Sequence, residues 1–372
     1  MNKAIKIRLY PTTEQKIMFA KTFGCCRKVW NLMLADKIAY YKEHHQKLHT
    51  TPAHYKKDYP YLREVDSLAL ANVQLHQDRA MINFFEHRAK YPKFKSKRKT
   101  RKSYTTNNQN GTIYVGDGYI HLPKAGNIKA VIHRQIPDGW KLKSATVSQD
   151  SAGNYYCSLL YEYEADIRQV PMSESMKAEG FDYKSDGLFM DSEGRCADMP
   201  KYFRQSQKKL ARAQRTLARR QGAHKGEEKS HRYLKQQLKV NKIYRKSSNQ
   251  RLDTLHKIST EKANQYDMIG VETLNQKAIA NKHFHNGKAT MDNGYGMFLR
   301  MLEYKLHDRG KYMVRVGKWY PSSQLCHICG HRQKMPLNQR TYVCPVCGEV
   351  IDRDVNAAIN IKHEAMRILM SA

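Results

Sequence analysis

Two periods of apolar positions run through the chain, and the places where one gives way to the other mark its elements. Residues 3–10 alternate Ile5, Ile7 and Leu9 with basic residues, which predicts a first strand. Pro11-Thr12-Thr13-Glu14-Gln15 then opens a helix, with Thr12 as N-cap and Gln15 placed to complete a capping box. Helical spacing continues to about Tyr41, with Val29/Met33 and Trp30/Leu34 each one turn apart. A second helix spans residues 68–88, where Leu68, Val73, Leu75, Ile82 and Phe85 offer a core face. Between 103 and 165 the period shortens again, in β-rich runs at 112–115, 119–122, 130–132, 145–147 and 155–161. Gly-Asp-Gly, Gly-Asn and Asp-Gly separate or flank them. A small antiparallel barrel or curled sheet follows, completed by the N-terminal strand, with the two helices inserted in it.

The second half is patterned differently. Residues 166–179, with Pro171, read as a linker, and 180–184 and 187–190 as strand–turn–strand about Ser185-Asp186-Gly187. Residues 201–251 predict two helices parted by 222–226, with thin apolar stripes at Leu210/Leu217 and Leu234/Leu238, the second helix running on to Tyr266. Residues 268–272 read as a buried strand ending on Glu272. The polar stretch 275–296, with His283 and His285, reads as a mobile loop and candidate lid. A helix over 297–310 stopped by Gly310, a strand over 312–316 and a closing helix over 355–370 complete the pattern. The fold class is multidomain, α/β plus α+β.

Charge changes the picture most. The 372 residues suit two or three domains, and 66 Lys plus Arg against 34 Asp plus Glu give +32, well past what solubility needs. A polyanion is the matching partner, bound in a salt-dependent way. Residues 90–102 carry eight basic side chains and no acid, interleaved with Tyr91, Pro92 and Phe94. Aromatics among cations offer stacking as well as phosphate contact, so Lys93, Lys95, Lys97 and Arg98 are candidate nucleic-acid contacts. Residues 201–251 hold 17 basic residues against Glu227 and Glu228 alone. A coiled-coil hairpin would carry more acids, so phosphates are the expected counter-charge for Lys208, Arg212, Arg215 and Arg219. A membrane is the competing acidic partner. No segment is apolar for long enough to span one, and residues 1–10 lack a signal-peptide core, so a cytoplasmic setting is expected. His44, His45, His49 and His54 match no ligand spacing and read as a connector.

Cysteine spacing supplies the first candidate chemistry. Cys326-x-x-Cys329, fourteen intervening residues and Cys344-x-x-Cys347 form two knuckles that hold four thiolates about one tetrahedral zinc. Disulfides would need an oxidising compartment. A closed site of this kind is structural and predicts a zinc ribbon over 319–350. Cys25, Cys26, Cys157 and Cys196 sit in apolar runs and read as small buried hydrophobes.

Three acids supply the second. Asp182, Glu272 and Asp354 each lie inside or at the end of an element with apolar neighbours, where burying a carboxylate costs several kcal/mol unless a cation or donors compensate. Singly, Asp354 reads as an N-cap, Asp182 as a turn residue and Glu272 as a strand-end ion pair. Together, in so basic a chain, they point to one metal-binding centre of a nuclease. Oxygen-only ligation favours Mg²⁺ or Mn²⁺ over zinc. A pair of such ions can promote phosphodiester hydrolysis.

The chain as a whole resembles the transposon-encoded TnpB (OrfB) proteins, compact RNA-guided DNA endonucleases related to type V CRISPR effectors. The motifs are Ile-Lys-Ile-Arg-Leu-Tyr-Pro-Thr at 5–12, Tyr-Pro-Lys-Phe-Lys-Ser-Lys at 91–97 and Val-Glu-Thr-Leu-Asn at 271–275. Trp-Tyr-Pro-Ser-Ser at 319–323 and Asp-Arg-Asp-Val-Asn-Ala-Ala at 352–358 complete the set. The resemblance implies a wedge β-barrel (1–10 and 90–170) interrupted by a helical recognition insertion (11–89). A RuvC-like domain of RNase H fold (171–372) then includes the basic hairpin 201–266, the lid loop and the ribbon. It implies a catalytic trio of Asp182, Glu272 and Asp354, all metal ligands rather than nucleophiles, with Asp352 outside it. Lys184 stands where the commonest form of the first motif has glycine. The implied partners are a guide RNA from the transposon end and target double-stranded DNA, read by pairing beside a short flanking motif and bound by a monomer. Two rival functions use the same features: an RNA-guided DNA-binding regulator without cleavage, and a transposase joining DNA ends directly.

Overall fold

Ile5, Ile7 and Leu9 are buried along β1 (Asn2–Tyr10) while the residues between them reach solvent, as period-two alternation dictates. A computed structural model describes residues 1–221, 229–275, 279–280, 287–336 and 338–371. The chain divides into two compact units, Met1–Ala165 and Asp166–Ala372.

In the first unit α1 (Thr13–His44) starts on the expected capping box of Thr12 and Gln15, and Val29, Trp30, Met33 and Leu34 are all buried. Helix α2 (Ser67–Phe85) buries Val73 as expected, but not the rest of the expected face. Ala69, Leu70, Val73 and Gln77 turn inward, while Leu75, Ile82 and Phe85 are exposed. Two stripes of this helix share the helical period. The inner one is chosen by packing, where the Gln77 amide donates to the Trp30 carbonyl at 2.9 Å.

Strands β2 (Lys102–Asn107), β3 (Tyr114–Gly116), β4 (Tyr119–Leu122), β5 (Gly126–Val131), β6 (Lys141–Gln149) and β7 (Tyr155–Glu162) join β1 in an antiparallel seven-stranded sheet. Its order is β2-β6-β7-β1-β5-β4-β3, so the N-terminal strand is central to it. Among the described residues no ladder joins β2 to β3, so of the two expected forms, barrel or curled sheet, the open curled sheet is the one found. Strand β2 was not legible beforehand, because Tyr104 is its only large apolar residue. Phe19 and Phe23 of α1 pack on the Tyr104 ring at 6.2 and 5.8 Å, tying helix to sheet.

The second unit is built on a five-stranded sheet of β8 (Ala178–Tyr183), β9 (Phe189–Asp191), β10 (Cys196–Ala197), β11 (Met268–Glu272) and β12 (Tyr312–Val316). The order is β10-β9-β8-β11-β12, with β8, β11 and β12 parallel and β9–β10 an antiparallel hairpin. Cys196 lies on this edge hairpin and is exposed, contrary to its reading as a buried residue; Cys25, Cys26 and Cys157 are buried.

Helices α3 (Tyr202–Arg219) and α4 (His231–Gln265) pair through Leu210, Ala213, Val240 and Ile243. Leu234 and Leu238 are exposed instead of facing α3, since the buried stripe of α4 runs through Gln236, Val240, Ile243 and Ser247. The expected turn at 222–226 lies outside the described residues. Part of the expected loop at 275–296 is helical, as α5 (Gly287–Asn293) and the start of α6 (Tyr295–His307). Residues 276–278 and 281–286, with His283 and His285, lie outside the described residues.

The last helix, α7 (Arg353–Met370), covers one face of this sheet, and α4 and α6 line the other. Two glycines let α7 come close. A Cβ on Gly180 would lie 2.0 Å from the Ala358 carbonyl oxygen, and one on Gly270 would lie 2.6 Å from the Ala365 Cβ.

Candidate active site and four-cysteine module

Strand alternation brings the three acids together. Phe181, Ile269 and Val271 face the α4/α6 core, so Gly180 and Asp182 on β8, and Gly270 and Glu272 on β11, share the face under α7. The parallel register pairs Gly180 with Gly270 and Phe181 with Val271, which sets Glu272 beside Asp182 one step on. On α7, Ala358, Ile361 and Ala365 rest on the glycines, and Asp354 lies one turn before Ala358 on the same stripe. The helix thus delivers its first-turn acid to the strand ends that carry the other two.

Their environment is unusual for carboxylates. Burial pushes the Asp182 carboxyl well above the ordinary range, and the Glu272 and Asp354 charges add to that rise; Arg353 and Lys184 oppose it. Glu272 is also raised by burial, partly offset by the Ser322 hydroxyl, which donates to its Oε1 at 3.0 Å. Asp182 has no hydrogen-bond donor and no ion pair among the described residues. Two other buried acids of this unit are compensated: Glu179 accepts the Gly180 and Ser192 N–H groups at 2.8 and 2.9 Å, and Asp191 pairs with Arg195 at 3.0 Å. Burial alone therefore does not mark a site. Asp182 differs in being buried without a donor among the described residues.

The simpler readings of these acids give way. Asp352 is the N-cap of α7, its Oδ1 accepting the N–H groups of Asp354 and Val355 at 2.8 and 3.2 Å. Asp354 is instead bound by Arg353, whose Nε and Nη2 both donate to its Oδ1, at 3.2 and 3.0 Å, with Arg340 3.6 Å away. Asp182 lies within a strand, and the partner of Glu272 is a hydroxyl rather than a cation. Carboxylate oxygens are the donors a hard divalent cation takes, but among the described residues it is the four cysteines, and not these acids, whose ligand atoms all lie within 4.8 Å of one another.

Four thiols gather in the neighbouring module. The sulfurs of Cys326, Cys329, Cys344 and Cys347 all lie within 4.8 Å of one another, a fit to one tetrahedral zinc. Two matching turns carry them: Gly330 N–H donates to the Cys326 carbonyl and Gly348 N–H to that of Cys344, both at 3.0 Å. Gly330 and Gly348 have φ of 71° and 74°, the left-handed region that glycine tolerates. The backbone N–H groups of Cys347 and Val346 help hold the Cys344 thiol down to about 6, ready to ligate as thiolate. Strands β13 (Thr341–Val343) and β14 (Val350–Asp352) form the module's own ladder and lead straight into α7.

Sequence reasoning missed Ser322, Arg353, Asn356 and Asn360. Asn356 and Asn360 are buried on α7 and donate to the Leu325 carbonyl, both at 2.7 Å, fastening the first knuckle to the helix. Their signal was polarity at positions where the α7 stripe calls for apolar residues, and Asn356 also stands in the 352–358 motif.

The candidate nucleic-acid contacts divide. Lys93, Lys97 and Arg98 are exposed, and so are Lys208, Arg212, Arg215 and Arg219, none with an ion pair among the described residues. Lys95 differs. Its ammonium sits 3.6 Å from the Trp30 ring centroid, and its backbone pairs with Asn31. No described helix is long and apolar enough to cross a membrane.

Comparison with known proteins bears on the whole length. Residues 1–47 match the HTH_OrfB_IS605 model described as "Helix-turn-helix domain", 159–282 the OrfB_IS605 model described as "Probable transposase", and 295–361 the model "Cas12f1-like, TNB domain". In this chain the first stretch is a strand and one continuous helix rather than a helix-turn-helix. A Streptomyces pristinaespiralis protein named "Putative RNA-guided DNA endonuclease" is 33% identical, over 97% of this chain and 89% of its own length. Escherichia coli (strain K12) InsQ, which carries the same description, is 30% identical over 96% and 91%. The fold is similar to that in "Cryo-EM structure of the Cas12f1-sgRNA-target DNA complex", with a TM-score of 0.59 at 13% identity, covering 97% of this chain and 98% of that one. Identity of this extent along nearly the full length decides the matter: the chain belongs to the TnpB (OrfB) family of RNA-guided DNA endonucleases.

Proposed function

We propose that the chain is an RNA-guided DNA endonuclease of a transposable element, with a RuvC-like nuclease domain in its second unit and Asp182, Glu272 and Asp354 as its catalytic carboxylates. One observation carries this reading: Asp182 is buried, has no donor among the described residues, and is flanked by two further acids. A sheet in which two strands continue parallel to β8 beyond an antiparallel hairpin supports the RNase H fold implied by the resemblance. Mg²⁺ or Mn²⁺, when bound, would supply activation of water and charge neutralisation at the phosphate.

The chain's own part is to hold that site and the nucleic acid. Asp182, Glu272 and Asp354 present oxygens from two strand ends and one helix start, and Ser322 and Arg353 limit how Glu272 and Asp354 can turn. The exposed cations of α3, α4 and residues 90–102 would hold a guide–target duplex by its backbone, while pairing reads the sequence. In the first unit the Phe84 ring meets Phe85 at 5.3 Å and Tyr91 at 5.1 Å, leaving Phe85 and Tyr91 exposed as stacking surface beside that basic run. The four-cysteine module is read as a structural zinc ribbon, and residues 1–10 with 90–170 as the wedge around a helical recognition insertion at 11–89.

The description "Probable transposase" attached to 159–282 favours a second reading, direct joining of DNA ends. Incubating the protein with its copurified RNA, matching DNA and Mg²⁺ separates the readings. Cut ends are expected. Joined ends would establish a transposase, and guided binding without either would establish a regulator.

A further inference from the structure

The four-cysteine module and the carboxylates are linked by more than their place in the chain. Arg353 lies between the two, its side chain only 13% exposed. One edge of its guanidinium grips a single oxygen of Asp354, with Nε and Nη2 at 3.2 and 3.0 Å from Oδ1. Its Nη1 donates to the carbonyls of Pro336 and Gln339, at 3.4 and 3.1 Å, on the segment joining the two knuckles. Its backbone N–H donates to the Arg340 carbonyl at 2.7 Å. A carboxylate pivots freely about its last torsion, and fixing one oxygen sets where the other points.

Glu272 is held from the opposite end of the same module. Ser322 Oγ donates to its Oε1 at 3.0 Å, and Ser322 is itself buried. The Ser322 carbonyl accepts from the Asn360 amide at 2.8 Å, and the same amide grips Leu325, next to the first cysteine. Asn356 Oδ1 accepts the His327 N–H at 3.1 Å within the knuckle. Each of these two acids is therefore contacted by a group that is bonded in turn either to the segment between the knuckles or to the α7 asparagine that grips the first knuckle.

We infer that the four-cysteine module sets the orientation of Asp354 and Glu272 through Arg353 and Ser322, two positioning residues for divalent-ion binding. The inference rests on the function proposed above and adds which residues tune the affinity of that site. Removing a cation beside Asp354 would by charge alone strengthen metal binding. Orientation predicts the opposite, so the sign of the effect decides.

The test uses the intact protein–guide RNA complex with Arg353→Gln, Arg353→Lys and Ser322→Ala. Mn²⁺ affinity is read by electron paramagnetic resonance, zinc content by atomic emission, and the Mg²⁺ dependence of cleavage alongside. Zinc content and guided DNA binding should stay at wild-type levels. Mn²⁺ affinity should fall about tenfold or more in Arg353→Gln, the usual reach of residues that orient ligands. The Mg²⁺ concentration for half-maximal cleavage should rise by the same factor, with the rate recovered at saturating Mg²⁺. Arg353→Lys keeps charge without the fork and should recover only part. Unchanged affinity, or tighter binding of Mn²⁺, would overturn the inference while wild-type cleavage upholds the function. Wild type that takes up no Mn²⁺ would overturn both. Should Arg353→Gln lose zinc, Ser322→Ala carries the same test at Glu272.

Discussion

The second unit holds two candidate metal sites, and they are made in opposite ways. The four cysteines come from one short segment whose paired turns aim the sulfurs at a common point, and backbone N–H groups favour the thiolate at Cys344. The three acids come from the beginning, middle and end of the unit, and burial together with the charges of Glu272 and Asp354 raises the cost of charge on Asp182. One site is local, its four thiols carried on a single short segment. The other is dispersed and stays in conflict until a cation arrives. A local site needs its turns; a dispersed one needs the whole sheet and helix to hold acids where they repel.

That contrast can be tested from its strongest consequence downward. Asp182→Ala should reduce guided DNA cleavage by about a thousandfold or more, since several kcal/mol of transition-state stabilisation depend on the centre. Guided binding, measured by gel shift, should stay near wild type, and an equal loss of both would make Asp182 a structural residue. Cys344→Ser should release the zinc, measured as metal per chain. If the module orients two acids, cleavage should then fall about tenfold or more. Full cleavage by zinc-free protein would show the two sites to be independent.

Gly180→Ala attacks the dispersed site through its packing. A methyl 2.0 Å from the Ala358 carbonyl must push α7 off the sheet, at a cost of about 3 kcal/mol or more in denaturant unfolding. Wild-type stability would mean that α7 does not depend on this close approach. Smallest is Asp352→Ala, which removes the N-cap and should cost about 1 kcal/mol of stability while sparing cleavage. Loss of cleavage without loss of stability would move the catalytic role from Asp354 to Asp352.

Much of this was legible in the residues, and the exceptions have physical causes. Strands β4, β7, β11 and β12 follow their apolar runs closely because each has at least one face in a core. Strand β2 carries little apolar signal, since Tyr104 and Thr106 are the only side chains it buries. In α2 and α4 the sequence offered more than one stripe of helical period, and Leu75, Ile82, Leu234 and Leu238 proved to be on the exposed one. Local periodicity says that a helix has a face; it does not say which face finds a partner.

By itself the sequence determined the four-thiol site, the excess of positive charge and the identity of three acids with apolar neighbours, all properties of composition and spacing over short stretches. Only the tertiary structure decided that Asp182 and Glu272 share one face of the sheet, under the helix that carries Asp354. It also decided that Asp352 is the cap, that Glu179 and Asp191 are compensated, and that Arg353 and Ser322 hold two of the acids. Spacing along the chain does not say which donor reaches which acid: Arg353 is next to Asp354 in sequence, whereas Ser322 reaches Glu272 across 50 positions. The folded backbone settles both, through sheet order, strand register and the close approach of α7 over Gly180 and Gly270.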